Sequence, residues 1–142
     1  MALTNYTGLK ASIADFLNRD DLTSVIPDFV ALAEAQINRD IRHWKMEARS
    51  SGQQSAADEY MQIPADWVET IRLHLTGTGT SVVNLVSRDA MADKRAAQEN
   101  AAGTPRMYTH ADGQFQLYPT PDATTNFELL YYQKIPSLIT NT

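Results

Sequence analysis

Cysteine is absent from this chain of 142 residues. That excludes disulfides, thiolate metal sites and a cysteine nucleophile. The N-terminus, MALTNYTGLK, lacks a basic segment followed by an apolar run, so it does not read as a secretion signal. No apolar stretch approaches the roughly 20 residues that a helix needs to cross a bilayer. Positive charge is in deficit. The net charge is −5, so the chain as a whole is not a nucleic-acid binder by charge. The histidines His43, His74 and His110 lie far apart and show no ligand spacing such as H-x-x-x-H. No serine sits in a G-x-S-x-G context. Gly77-Thr78-Gly79 lacks the third glycine, the lysine and the following helix of a phosphate-cradling loop. The acidic pairs Asp20/Asp21, Asp58/Glu59 and Asp66/Glu69 fall at caps and turns, where carboxylates usually sit. The residues point to no catalysis, metal or cofactor.

What is present is ordinary globular composition, 43% hydrophobic and 20% charged, with room for one domain and its core. The longest helical pattern is Pro27–Trp44. Ile26, Val30, Ala33, Ile37, Ile41 and Trp44 recur at spacings of three and four and share one face. Pro27 suits a first turn, and Thr23 and Ser24 are candidate caps. Ile37 and Ile41 are expected in the core. A second stripe, Asp28, Ala31, Ala35, Asn38 and Arg42, is small and mixed rather than long and charged. It reads either as a solvated face or as a face that lets another helix come close, as in a contact between subunits. Upstream, Gly8–Arg19 reads as a first helix capped by Thr7, with Leu9, Ile13, Phe16 and Leu17 on one stripe. The short link makes the two helices antiparallel neighbours, so Phe16 and Leu17 should meet Phe29 and Val30.

Downstream the period shifts to two. Lys45–Ser51 can start a strand, and Ser51–Ser55 reads as a turn. Glu59–Ile63 is a short strand stopped by Pro64. Trp67–Leu75 alternates, with Trp67, Ile71, Leu73 and Leu75 on one face, and forms a hairpin with Ser81–Val86 across Thr76–Thr80. Ser87 caps a helix over Arg88–Asn100, whose single large apolar side chain is Met91. Arg106–Pro119 is a hairpin around Asp112-Gly113, the pair suited to a type I′ turn. In that register Tyr108 opposes Leu117 and His110 opposes Phe115, all on one face. Asn126–Lys134 is apolar enough for a central or interface strand.

The order predicts an α+β fold: a helical hairpin over residues 7–44, then a small antiparallel sheet or sandwich over 45–136 with an inserted helix at 87–100. Residues 137–142 form an open tail, and the whole is one domain. Arg39, Arg42, His43, Lys45 and Arg49 gather at the end of the long helix. They either complement the helix dipole or touch an acidic partner or passing nucleic acid. Trp67, Tyr108, Tyr118, Tyr131 and Tyr132 offer a carbohydrate-binding face, and with it the alternative of a minor tail or receptor-binding module, although their alternation fits sheet packing better.

Three runs carry a resemblance: LKASIADFLNRDDLTSVIPDFVALAEAQINRDIRHWKMEA, YMQIPADWVETIRLHL, and GTPRMYTHADGQFQLYPTPDATTNFELLYYQKIPSL. Within them stand I-P-x-F-V-x-L-A-E-A-x-I at Ile26–Ile37, I-P-A-D-W at Ile63–Trp67, P-R-x-Y-T at Pro105–Thr109 and L-x-P-T-P-D at Leu117–Asp122. In this order they resemble the head-to-tail adaptor, or connector, proteins of short-tailed bacteriophages and related prophages. The resemblance implies a helical bundle with a β-structured insertion and a non-enzymatic, structural role. It implies a ring, expected to be a dodecamer, under the capsid portal protein and joined to the tail nozzle or tail tube. The genome would pass through its channel without sequence-specific contact. The place would be the head–tail junction of the virion, after synthesis in the bacterial cytoplasm and with no membrane partner. Family members usually continue into further helices, whereas this chain stops at Thr142, after Ile135-Pro136-Ser137-Leu138.

Overall fold

The computed structural model describes residues 5–19, 21–77, 81–98 and 101–140. They divide into two compact units, one formed by residues up to Met46 and from Lys134, the other by Glu47–Gln133.

In the first unit, α1 spans Tyr6–Leu17. Its cap is Asn5 rather than Thr7: the Asn5 side chain accepts from the Gly8 N–H at 2.7 Å, satisfying one of the orphan donors of the first turn. Asn18 closes the helix in the left-handed region, which asparagine tolerates. Helix α2 spans Ile26–Asp40 with Pro27 in its first turn. The cap position falls on Val25 and carries no side-chain cap hydrogen bond. The helix ends four residues before Trp44 because Ile41 turns to extended backbone, and Trp44–Met46 form a separate 3-10 turn.

The small core here is Tyr6, Ile26 and Val30, flanked by Leu9, Ile13 and Ala14. The expectation for Ile37 and Ile41 fails: they are 41% and 47% exposed. The apolar stripe runs the length of α2, but the flanking residues of α1 gather only around Ile26 and Val30. Phe16 and Leu17 do not close over Phe29 either, since Phe16 is 90% exposed and Phe29 58%. The tail is not open as described. The Ile135 N–H donates to Asn38 Oδ1 at 2.7 Å and the Leu138 N–H to Glu34 Oε1 at 2.7 Å. The Ser137 hydroxyl donates to Glu34 Oε2 at 2.8 Å. Glu34 and Asn38 are one turn apart on α2 and so face the same passing segment.

The second unit is a seven-stranded sheet. Its strands are β1 (Glu47–Gln54), β2 (Tyr60–Gln62), β3 (Trp67–Thr76), β4 (Ser81–Leu85), β5 (Met107–Ala111), β6 (Gln114–Tyr118) and β7 (Thr125–Gln133), in the order β1-β7-β3-β4-β5-β6-β2. The α+β class stands, but the sheet is mixed: β4 and β5 run parallel. The helix α3 (Arg88–Gln98) is the cause, because only a crossover of this length lets consecutive strands run the same way. Residues 99 and 100 of the expected helix lie outside the described residues. Strand β1 also runs through Gly52-Gln53-Gln54, where a turn was expected. Gly52 is paired with Phe127, and a β-carbon there would sit 2.9 Å from Phe127 Cζ. The glycine therefore makes room for the ring rather than for a turn.

The β5–β6 hairpin has the expected register, Tyr108 opposite Leu117 and His110 opposite Phe115, with Asp112 and Gly113 both at positive φ. Strand β7 is central, between β1 and β3. Strand β3 departs from strict alternation. Its register against β7 shifts between Trp67 and Glu69 and again between Thr70 and Arg72. Each shift adds one residue and turns the following side chains over. Trp67, Thr70, Leu73 and Leu75 thereby share the inner face, while Ile71 is 40% exposed. The core collects Leu73, Leu75, Leu129 and Tyr131 from one half of the sheet, and Met61, Tyr108, Phe115 and Leu117 from the other.

Candidate assembly surface

Helix α2 carries the first set of candidates, and the structure separates them by use. Asp28, Ala31 and Ala35 are exposed. Asn38 is half-buried, because its side chain holds the backbone of Ile135. Arg42 folds back on the helix end. Its Nη1 donates to the carbonyls of Asn38, Arg39 and Ile41 at 3.0, 3.2 and 2.9 Å. Those carbonyls lack partners within the helix, and the guanidinium also meets the negative end of the dipole.

The basic set divides in the same way. Arg39 pairs with Asp40 at 3.0 Å, both side chains being more than half exposed. His43 Nδ1 accepts the Lys45 N–H at 3.2 Å, and both residues flank the Trp44 ring. Arg49 does not belong to the helix end. It stands on β1 in the sheet unit, 3.6 Å from Glu128 Oε1.

Sequence reasoning missed the apolar surface of the helical unit. Phe16, Phe29, Leu32 and Trp44 are each at least half exposed. Phe29 and Leu32 flank Asp28 and Ala31 in sequence and bring apolar area to that side of α2. The signal was available: at 100° per residue they fall outside the stripe that begins at Ile26 and Val30. A cleft of about 140 Å³ lies where the tail crosses α2, lined by Glu34, Ile37, Asn38, Ile135, Pro136 and Leu138.

The sheet unit offers less surface. Tyr108, Tyr118 and Tyr131 are buried, so most of the aromatics considered for carbohydrate face the interior. Burial, followed by the hydrogen bond to Asp66, pushes the Tyr131 hydroxyl above its usual range. His110 packs against Trp67, Tyr108 and Phe115. Burial first, and the nearby Arg88 charge second, hold its imidazole below the usual range. His74 lies on the face of β3 opposite Leu73 and Leu75, largely covered at 16% exposure and 3.6 Å from Glu128. Helix α3 is held by polar groups rather than by an apolar face. Arg95 meets Glu59 at 2.6 Å and donates to the Leu117 carbonyl at 3.2 Å. The Tyr118 hydroxyl reaches the Lys94 carbonyl and Gln98 Oε1. Met91 is the buried apolar contact.

Among the described residues no three His, Asp or Glu converge as metal ligands. Among them, too, no helix is long and apolar enough to cross a membrane. The surface that remains consists of an exposed apolar and small-residue helix side, a basic helix end and an open sheet edge. It is suited to contact with other chains. The family described as SU10 adaptor protein matches the chain over residues 4–142. Comparison with curated proteins finds no significant match.

Proposed function

The chain belongs to the SU10 adaptor family, a phage head–tail adaptor family, and from that premise we propose that it closes into a ring, of twelve copies, beneath the portal. Membership makes it a structural protein of the bacteriophage virion at the head–tail junction. The observation that carries the ring is the extent of the match, which takes in both compact units. In this reading the whole chain acts as one adaptor domain without catalysis. The portal lies on one side, the tail nozzle or tail tube on the other, and DNA passes through the channel without sequence-specific contact. The protein is made in the host cytoplasm and meets its partners in the growing particle.

A ring needs two different complementary patches on every copy. We assign one of them to the exposed side of α2, on Asp28, Ala31 and Ala35 together with Asn38 and Arg42. Small side chains there permit close approach of a neighbouring backbone. Arg39, Arg42, His43, Lys45 and Arg49 are assigned to contacts with an acidic partner surface or with passing DNA. Each single contact between copies is too small to persist at low concentration. The isolated protein is therefore monomeric and assembles on the portal. Electron microscopy of the protein with and without portal rings tests this: a ring on the portal and monomers alone are expected. The double variant A31R/A35R should keep its circular dichroism spectrum and lose the ring. Rings that still form would remove α2 from the interface.

A further inference from the structure

The sheet has two edges, and they are unequal. Strand β2 presents only Tyr60–Gln62. Strand β1 presents Glu47–Gln54, eight residues paired with β7 one for one, without a bulge. Proteins usually blunt such an edge by shortening it, by bulges, by proline or lysine, or by charges pointing inward. None of these devices is present in Glu-Ala-Arg-Ser-Ser-Gly-Gln-Gln, whose protection is limited to two exposed charges of opposite sign, Glu47 and Arg49. The inward side carries Ala48, Ser50, Gly52 and Gln54, all uncharged, and the outward side carries Glu47, Arg49, Ser51 and Gln53, all exposed. Among the described residues the ladder of β1 runs to β7 alone. Its other edge, among the described residues, meets no backbone ladder and keeps a row of free backbone donors and acceptors. Only at the far end does the sheet approach closure, where Gln54 Nε2 donates to the carbonyls of Asp58 and Tyr60 at 2.8 and 3.1 Å.

We propose that the free edge of β1 is a strand-addition site, filled in the virion by an extended segment of a different protein at the head–tail junction. The chemistry of the occupant follows from the edge. It is a polypeptide in β conformation that completes the backbone ladder, small or apolar on the side of Ala48 and Ser50. On the other side it is basic opposite Glu47 and acidic opposite Arg49. A second copy of this chain fits poorly. Among the described residues β3, β4, β5, β6 and β7 each have a neighbour on both sides, although β4 covers β3 only at Leu73–Leu75, and the other outer strand, β2, offers three residues. Pairing β1 with β1 of another copy relates the two by a two-fold axis, which closes a dimer rather than a ring. The assignment rests on the adaptor reading above.

Residue-resolved hydrogen exchange on the free protein and on assembled particles tests it. In the free protein alternate amides of β1, those pointing away from β7, should exchange at loop-like rates. In the particle the same amides should slow by about 100-fold or more. Unchanged exchange at those amides, in particles whose ring is visible by electron microscopy, overturns strand addition while leaving the adaptor reading intact. Absence of the protein from the head–tail junction would instead defeat the adaptor reading. Protection that already appears in the isolated protein when it is concentrated enough to self-associate would assign the edge to a neighbouring copy and overturn the choice of a different protein. Proline variants give a second measurement. Of R49P and S50P, one removes an amide from the β7 ladder and the other an amide from the open edge. The edge variant should fold and fail to enter particles, whereas a folded edge variant that enters particles normally would refute the site.

Discussion

Replacing Arg95 by methionine tests how α3 is held. The substitution keeps most of the apolar stem and removes the charge. Arg95 and Glu59 are 18% and 24% exposed and lie 2.6 Å apart. Exposed pairs contribute about 0–1 kcal/mol, whereas removing one partner of a fully buried pair costs about 3–5 kcal/mol. This pair stands between those limits, so about 2 kcal/mol is expected. Part of that cost is the Glu59 carboxylate, left with the Gln116 amide at 3.2 Å and the Tyr60 hydroxyl as uncharged donors. The rest is the lost bond to the Leu117 carbonyl. For a unit of this size about 2 kcal/mol corresponds to a fall in Tm on the order of 10 °C. The pH dependence should change as well. Burial pushes the Glu59 carboxyl up, but the hydrogen bond from Arg95, with those of Gln116 and Tyr60, outweighs it and leaves the group below its ordinary value. A depressed carboxyl stabilises the fold above the unfolded pKa of about 4.3, and that contribution disappears as pH falls through the folded value. R95M should therefore lose less stability than the parent between pH 5 and pH 3. Adding Glu59→Gln to R95M should recover part of the Tm. An R95M protein with unchanged Tm and an unchanged acid limb would refute the view that this pair anchors α3.

Two further outcomes follow from the packing. Ile26→Ala empties a fully buried site in a core of three buried side chains and should cost about 2–5 kcal/mol, whereas Ile37→Ala, at a half-exposed site, should cost under about 1 kcal/mol. Denaturant melts followed by helical circular dichroism measure both, and equal losses would show that the tail buries Ile37 more completely than described. Gly52→Val drives a side chain into Phe127 and should destabilise the sheet by about 1–3 kcal/mol. Pairing it with Phe127→Leu should offset part of the loss, and additive losses would place the strain elsewhere.

Local chemistry explains what could be read in advance. Asp112-Gly113 determines its hairpin because only a turn with positive φ joins strands so closely, and the register of Tyr108 and Phe115 follows. The inserted helix is marked by Ser87, whose hydroxyl accepts the Ala90 N–H at 3.2 Å. The bulges of β3 left no such mark. Val68 and Ile71 look like any strand residues, and their extra positions are imposed by β7 across the ladder. The parallel pairing of β4 and β5 was likewise hidden, because it depends on where α3 returns the chain. At the candidate surface, Asn38 and Arg42 read as members of an open stripe, yet each has a local duty set by residues distant in sequence or by the helix end itself.

Those local duties sharpen the case for α2 as the element that other chains meet. One side is spent inward, with Ile26 and Val30 against α1 and Glu34 and Asn38 on the returning tail. The C-terminal carbonyls are occupied by Arg42. The side carrying Asp28, Phe29, Ala31, Leu32 and Ala35 is exposed throughout, as are Gln36 and Ile37 toward the end of the helix. Water solvates Asp28 at no cost but gains nothing from Phe29 and Leu32, whose burial contributes about 1.5–3 kcal/mol each when complete. A helix that keeps large apolar groups outward beside alanines has the composition of a packing face. The long charged side chain on that side is Arg39, one turn beyond Ala35, so charge gathers at the C-terminal end and leaves the stretch from Asp28 to Ala35 small and apolar. Of the candidates drawn from the sequence, then, Ala31 and Ala35 are the positions where the apolar area and the room for a neighbour coincide.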